Sequence, residues 1–469
     1  MSSLKQKIML IFRLCGKIIH LFKKLTGAFM IILMSAIGTF GTAQQMVFTK
    51  VDKPVLGWSS WSFLRKDPTA AKMEAEARAL HESGLQKLGY EYVNLDDFWY
   101  ICVNKKGPDV DTYGRWVIDN QKFPGHGDTN GIKVVADYIH SLGLKFGIYL
   151  TPGISKQAVL RNTPIKGAPY TADQIAEPSI EENNYNCGGM VRINFNKPGA
   201  QAFINSWADM FAEWGVDFIK LDGMTDNNTA DIEAWCRAIQ QSGRPMILDI
   251  TQGSFTQKIA LPLVKYASQW EFAPDIECYS CDEKTGTSYP LTSWNNVKQR
   301  FDYVAAWQPY GGPGGFNDYD AIEVGNGDND GLTSDERKTQ LSLWALGASP
   351  LILGVDLTHL DQPDLKYLKN VDVLAVDQDG IPAKRLVNSD DRQVFVKTEP
   401  NGDVIVGLFN TDDKKSEQVS MQASVIGLPE NESGYSTINL WTGETKKTQG
   451  TISAVVPPHG VALYRVRCH

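Results

Sequence analysis

Past its first 43 residues the chain has no apolar run long enough to span a bilayer, which excludes a membrane-embedded enzyme. Basic residues are outnumbered, 46 Lys and Arg against 54 Asp and Glu, and a net charge of −8 offers nothing to a polyanion. Nucleic acid is therefore excluded as a partner. The seven histidines fall into no H-E-x-x-H or similar spacing, so a zinc hydrolase is excluded. There is no G-x-S-x-G elbow and no Walker sequence, and Gly311-Gly312-Pro313-Gly314-Gly315 lacks the Lys-Ser/Thr that phosphate cradling needs. That run reads as a tight loop. Asn326 to Gly331 resembles the start of an EF-hand loop, but its first ligand is Asn and Glu336 comes one place early; a turn leading into a helix near Ser334 is the better reading. No cofactor and no metal is expected.

What is present is a large globular chain of 469 residues, 42% hydrophobic, with 12 Trp and 17 Tyr whose flat faces suit sugar rings as well as core packing. Residues 1–43 read as a secretory signal: basic residues up to Lys23-Lys24, the apolar run Phe29 to Met34, and small residues ending at Ala43. Residues 44–469 are then exported, to the periplasm or the medium, with no stable membrane insertion after cleavage. Export leaves Cys102, Cys187, Cys236, Cys278, Cys281 and Cys468 in an oxidising compartment where pairing is permitted, in a connectivity that spacing does not decide. Cys278-Tyr-Ser-Cys281 has a redox spacing without a thioredoxin-like context, so it reads as a structural bridge or two thiols.

Short apolar runs recur at Val93-Leu95, Lys145-Tyr149, Phe218-Leu221, Met246-Leu248 and Leu351-Leu353, the pattern of parallel strands buried on both faces. Amphipathic stretches such as Ala71–Leu88, Ala200–Trp214, Trp294–Trp307 and Ser334–Leu346 separate them. With Gly57-Trp58, Gln269-Trp270 and Gly315-Phe316 added, roughly eight strand-helix units result, so the fold class expected is α/β, a (β/α)8 TIM barrel over residues 44–385. A doubly wound sheet is the alternative. From residue 386 to 469 the pattern turns to alternation and turns, as in Val394-Lys397 and Val461-Tyr464, and predicts a small antiparallel β-sandwich domain.

Acids sit where barrel strands end: Asp96-Asp97, Asp222 and Asp275. A lone Asp after a strand is commonly a turn or cap residue. Several converging on the C-terminal face of one barrel point instead to a site, and two carboxyls sharing a pocket suit glycoside cleavage.

Leu56-Gly57-Trp58-Ser-Ser-Trp61, Leu95-Asp96-Asp97-Phe98-Trp99, Lys145-Phe-Gly-Ile-Tyr149, Lys220-Leu-Asp222-Gly223, Gly315-Phe-Asn-Asp318 and Ser349-Pro-Leu-Ile-Leu-Gly354 together resemble the ordered motifs of glycoside hydrolase family 27, known for α-galactosidases and α-N-acetylgalactosaminidases. The resemblance implies a metal-free, retaining exo-glycosidase that removes terminal α-D-galactosyl residues from a carbohydrate substrate. It implies Asp222 as nucleophile and Asp275 as acid/base, at the retaining separation of roughly 5–5.5 Å. Asp275 is then expected to titrate high beside an anionic Asp222. Asp96 and Asp97 would accept from the 4- and 6-hydroxyls, Lys220 would reach the 3- or 4-hydroxyl, and Trp61 and Tyr149 would shape the ring pocket or simply pack in the core. The chain departs from the family in three places: Glu271 stands where Arg is usual, Gln252 where Glu is usual, and Met224 where a disulfide Cys often follows the nucleophile motif. The first two fall on the sugar's 2-hydroxyl side, where an ionised Glu271 would disfavour an acetamido carbonyl. Another family activity (α-N-acetylgalactosaminidase, β-L-arabinopyranosidase or an isomaltose-releasing dextranase) and a non-catalytic sugar-binding relative are the alternatives.

Overall fold

The computed structural model describes residues 50–468 apart from Lys105, Ser254, Asp390, Asn431 and Glu432. The segment read as a signal, residues 1–43, lies outside the described residues. Eight parallel strands follow one another round a barrel: β1 Leu56–Ser59, β2 Tyr90–Leu95, β3 Lys145–Leu150, β4 Phe218–Leu221, β5 Ile247–Thr251, β6 Gln269–Glu271, β7 Phe316–Asp318 and β8 Leu351–Leu353. Each pairs with its sequence neighbour, and β8 returns to β1 through Leu56↔Leu351 to Trp58↔Leu353. The β7–β8 seam is made just past β7, where the Ile322 N–H donates to the Ile352 carbonyl at 2.8 Å and the Gly354 N–H to the Ile322 carbonyl at 3.1 Å. A helix follows every strand, among them Ala70–Ser83, Ala200–Trp214, Trp294–Trp307 and Ser334–Gly347. The last starts from a capping box, Thr333 with Glu336, as the turn reading of the preceding loop requires. The Asp330 carboxyl accepts from the backbone of Gly325 and Asn326 within that turn.

Strand alternation builds the barrel interior in layers, since residues two apart face the same side. The bottom layer is apolar, a cluster of Val55, Tyr92, Phe218, Ile247 and Ile352. Two residues further along their strands stand Asn94, Lys220 and Asp249, which with Gln269 and Asp318 line a small chamber of about 40 Å³. Two residues further again come Asp96, Asp222, Thr251, Glu271 and Asp320 at the mouth. The strands are thus buried on both faces, yet two of the three inward layers are polar.

The β3 loop carries a three-stranded antiparallel sheet of Ile154–Ser155, Met190–Ile193 and Ala176–Glu182. A disulfide from Cys102 to Cys187 ties it to the loop after β2. A second disulfide joins Cys278 to Cys281, so of the two readings offered for that pair the bridge holds. Cys236 is a buried thiol. Beyond the barrel, a six-stranded antiparallel sheet and a two-stranded one form the C-terminal domain around Val394, Val406, Met421, Ile452 and Val466. Its first strand is Lys384–Asn388, so a division at 385/386 falls inside a strand. No helix among the described residues is long and apolar enough to cross a membrane.

Candidate active site

A cavity of about 1180 Å³ opens at the C-terminal ends of the barrel strands. All nine residues singled out in the sequence line it: Trp61, Asp96, Asp97, Tyr149, Lys220, Asp222, Gln252, Glu271 and Asp275. The strand ends explain the convergence, since β1 to β6 each contribute a residue within two positions of their last one.

Asp96 and Asp97 follow β2 and are held by backbone and side-chain donors. The Asp96 N–H donates to Ser60 Oγ at 2.9 Å, and the Asp96 Oδ1 and Asp97 Oδ1 accept from the next residues' N–H groups at 2.8 and 2.7 Å. Phe98 completes this turn with φ of +69°, a left-handed conformation that costs a non-glycine residue on the order of 1 kcal/mol. Asn186 Nδ2, from the β3 insertion, donates to Asp97 Oδ2 at 2.7 Å. Lys220 Nζ pairs with Asp96 Oδ2 at 2.9 Å. Burial works against the Lys220 ammonium, but the carboxylates of Asp96, Glu271 and Asp222 outweigh it and hold the group charged well above the usual lysine range.

Asp222 follows β4. Its Oδ1 accepts the Gly223 N–H at 2.6 Å and its Oδ2 the Tyr149 hydroxyl at 3.2 Å. Tyr149, at 1% exposure, is both core and pocket wall, so neither reading of it was complete. Burial pushes the Asp222 carboxyl up to about 7; Lys220 opposes this, while Asp275 and Asp96 add to it. Asp222 lies deep in the barrel, whereas Asp275 stands four residues past β6 in an exposed loop. There its Oδ2 accepts from the Tyr279 hydroxyl, which in turn accepts from Trp61 Nε1 at 2.8 Å. Arg65 lies 5.0 Å from the centre of the Tyr279 ring.

Other lining residues escaped the sequence reading, among them Tyr185, Asn186, Tyr279 and Asp320. Tyr185, whose hydroxyl donates to Gln252 Oε1 at 3.1 Å, and Asn186 come from the β3 insertion, which carries no strand-end signal. Tyr279 lies in the disulfide-closed loop after β6. Asp320, two residues past β7, has the same post-strand position as Asp97 and was detectable by that rule. Its Oδ2 accepts the Ile276 N–H at 2.6 Å, its Oδ1 the Ala321 N–H at 2.6 Å, and Arg300 lies 3.6 Å away.

Glu271 is the outlier. It is 5% exposed, and its carboxyl has no hydrogen-bond or ion-pair partner among the described residues. Oxygens of Glu271, Asp275 and Asp320 lie within 4.8 Å of one another. Burial first, then Asp320, raise Glu271 well above the usual carboxylate range, and Lys220 opposes them. That trio is the one carboxylate cluster among the described residues with the spacing to hold a cation.

Comparison with known proteins places the chain. A family profile described as "Alpha galactosidase A" matches residues 54–159 and 166–379, and one described as "Alpha galactosidase C-terminal beta sandwich domain" matches 389–466. An α-galactosidase A of Cellvibrio japonicus is 28% identical over 461 residues, 92% of this chain and 97% of that protein. An α-galactosidase of Oryza sativa is 29% identical over 418 residues, covering 88% of this chain and 84% of its own. The crystal structure of a family 27 β-L-arabinopyranosidase from Geobacillus stearothermophilus superposes with a TM-score of 0.79 at 28% identity, over 89% of this chain and 96% of that one. The chain is a glycoside hydrolase belonging to family 27.

Proposed function

We propose that the protein is an exported, retaining exo-glycosidase that removes terminal α-D-galactosyl residues. The observation that carries this reading is that Asp222 and Asp275 share one cavity with the Asp96, Asp97 and Lys220 group. Two carboxyls serve the anomeric carbon, and the acceptor-rich group serves hydroxyls at the far end of the ring. In the first step the Asp222 carboxylate forms a bond to C1 while the Asp275 carboxyl passes its proton to the departing oxygen. In the second, Asp275 takes a proton from water as that water attacks C1 and frees Asp222. Asp96 and Asp97 accept from the 4- and 6-hydroxyls, so a misplaced 4-hydroxyl leaves buried acceptors unpaired. Trp61 and Tyr149 wall the ring. Gln252 and Glu271 face the 2-position. The residue 1–43 signal and the two disulfides support export.

The Geobacillus relative supports a second reading, since β-L-arabinopyranose matches α-D-galactose in its ring substituents but lacks the exocyclic carbon. One panel decides between them. Values of kcat/KM for p-nitrophenyl α-galactoside, α-N-acetylgalactosaminide, α-glucoside and β-L-arabinopyranoside should rank the galactoside first. A glucoside equal to the galactoside would overturn the roles of Asp96 and Asp97, and an arabinopyranoside in the lead would favour the second reading. Proton NMR should find the α-anomer as first product; the β-anomer would overturn the double displacement.

A further inference from the structure

The cavity wall carries six Asp and three Glu against one Arg and two Lys. Lys220 is taken by Asp96 at 2.9 Å, and Arg65 lies 3.6 Å from Glu277, so none of these cations makes a hydrogen bond or ion pair with Glu271 among the described residues. Glu271 is held inside the barrel, nearly buried, with nothing to bond. Next to it in the β5–β6 register stands Thr251, 4% exposed, whose buried hydroxyl also has no partner. Buried acceptors without donors cost stability, which makes this corner a place that waits for a ligand. Its position in the ring of strands is also defined. Asp96 and Asp97 project from β2, and Glu271 from β6, opposite it in an eight-stranded barrel. A pyranose with C1 between Asp222 and Asp275 and its 4-hydroxyl at Asp96 therefore turns a ring substituent next to C1, the one on C2, toward Glu271 and Asp320.

We propose that this corner is an ammonium subsite, and that the preferred glycosyl unit is a 2-amino-2-deoxy-α-galactoside with its amine free. The inference rests on the glycosidase reading above and deepens it. An ammonium carries three donors and no acceptor, and Glu271 and Asp320 present carboxyl oxygens beside Thr251, which lines the same cavity. Asp320 keeps a lone pair free on each oxygen after receiving its two backbone N–H groups. A hydroxyl supplies one donor and leaves the cluster short. An acetamido carbonyl brings an acceptor to acceptors.

The test compares p-nitrophenyl 2-amino-2-deoxy-α-D-galactopyranoside with the α-galactoside at pH 6, where the amine is charged. In the wild type kcat/KM for the amino sugar should exceed that for the galactoside by at least about tenfold. Glu271→Gln should lower this ratio by about 100-fold, and Thr251→Val by about threefold, through changes in KM more than in kcat. A wild-type ratio of one or less, or a ratio unmoved by both variants, overturns the subsite. If no glycoside is cleaved, the hydrolase reading fails, and calorimetry decides the subsite by itself: D-galactosamine should bind at least tenfold more tightly than D-galactose. Equal binding overturns it. Millimolar Ca²⁺ or Mg²⁺ raising the melting temperature where galactosamine does not would assign the trio to a metal ion and also overturn it.

Discussion

The barrel mouth and the junction between the barrel and the C-terminal sheet both bury charge, and they treat it in opposite ways. At the junction, Lys397 is 4% exposed and its three ammonium donors go to Asp379 at 2.8 Å, the Ile381 carbonyl at 2.9 Å and the Val376 carbonyl. His459 stacks on Trp294 at 4.2 Å and bonds Glu336 and Asp413 through its two ring nitrogens. At the mouth, Glu271 and Thr251 are left open and Asp222 is pushed up to about 7. Answering every donor of Lys397 and both ring nitrogens of His459 holds the interface together, even though Asp377 Oδ1 and Asp379 Oδ2 are left without a partner there. Open networks are kept where a substrate supplies the missing half, at the expense of the empty enzyme's stability.

The largest effect should come from removing the reacting carboxyls. Asp222→Ala should lower kcat/KM for p-nitrophenyl α-galactoside by about 10⁴-fold or more, while leaving the fold intact. Asp275→Ala should fall hardest on natural leaving groups and least on activated aryl glycosides, which leave without a proton. Equal losses on both substrate types would remove Asp275 from the acid role. The comparison predicts that neither variant is less stable than wild type.

Lys397→Met should do the reverse. It strands Asp379 beside a removed cation, and breaking one half of a buried pair costs about 3 kcal/mol. The melting temperature should drop by several degrees while kcat per folded molecule stays within about twofold of wild type. A drop in kcat would mean that the junction and the mouth are coupled, and the contrast between them would dissolve.

Much of this contrast was legible in the chain and some was not. Five of the eight barrel strands were visible as short apolar runs because their outer faces pack on helices, and the other three were placed around Gly57-Trp58, Gln269-Trp270 and Gly315-Phe316. The inner face was legible only in part: Lys220 and Asp222 announce themselves at alternate positions, but Asn94 and Asp249 look like interruptions until the barrel curls them inward. Asp275 was read as a strand-end acid as well as by motif, but it stands four residues past β6, farther than a strand-end residue reaches. Tyr185 and Asn186 depend on an insertion held by the Cys102–Cys187 bridge, and cysteine spacing does not state which partner a cysteine takes. Glu271 was singled out, but the burial among other acids that raises its carboxyl is a property of the folded barrel alone.

The pH dependence of activity sharpens the difference next. A nucleophile must be ionised, and Asp222 sits at about 7, so the acid limb of kcat/KM should lie near neutrality, with the apparent value belonging to the Asp222–Asp275 pair. An acid limb near 4 would show that Asp222 is not desolvated as the fold places it.

The smallest effect concerns stability at the same residue. A carboxyl raised from 3.8 to about 7 binds its proton more tightly folded than unfolded. Stability is therefore greatest below the unfolded value and is lost as pH rises from about 4 through 7. Asn cannot titrate, and its carbonyl still accepts the Gly223 N–H. Asp222→Asn should match the wild type near pH 4 and exceed it at pH 8 by on the order of 2 kcal/mol, allowing for water reaching a half-buried group. Calorimetric melts of both proteins across this range should show the gap opening by about 2–4 °C. A gap that stays constant with pH would mean that the mouth does not store the cost assigned to it, and that open and completed charge networks weigh equally on this fold.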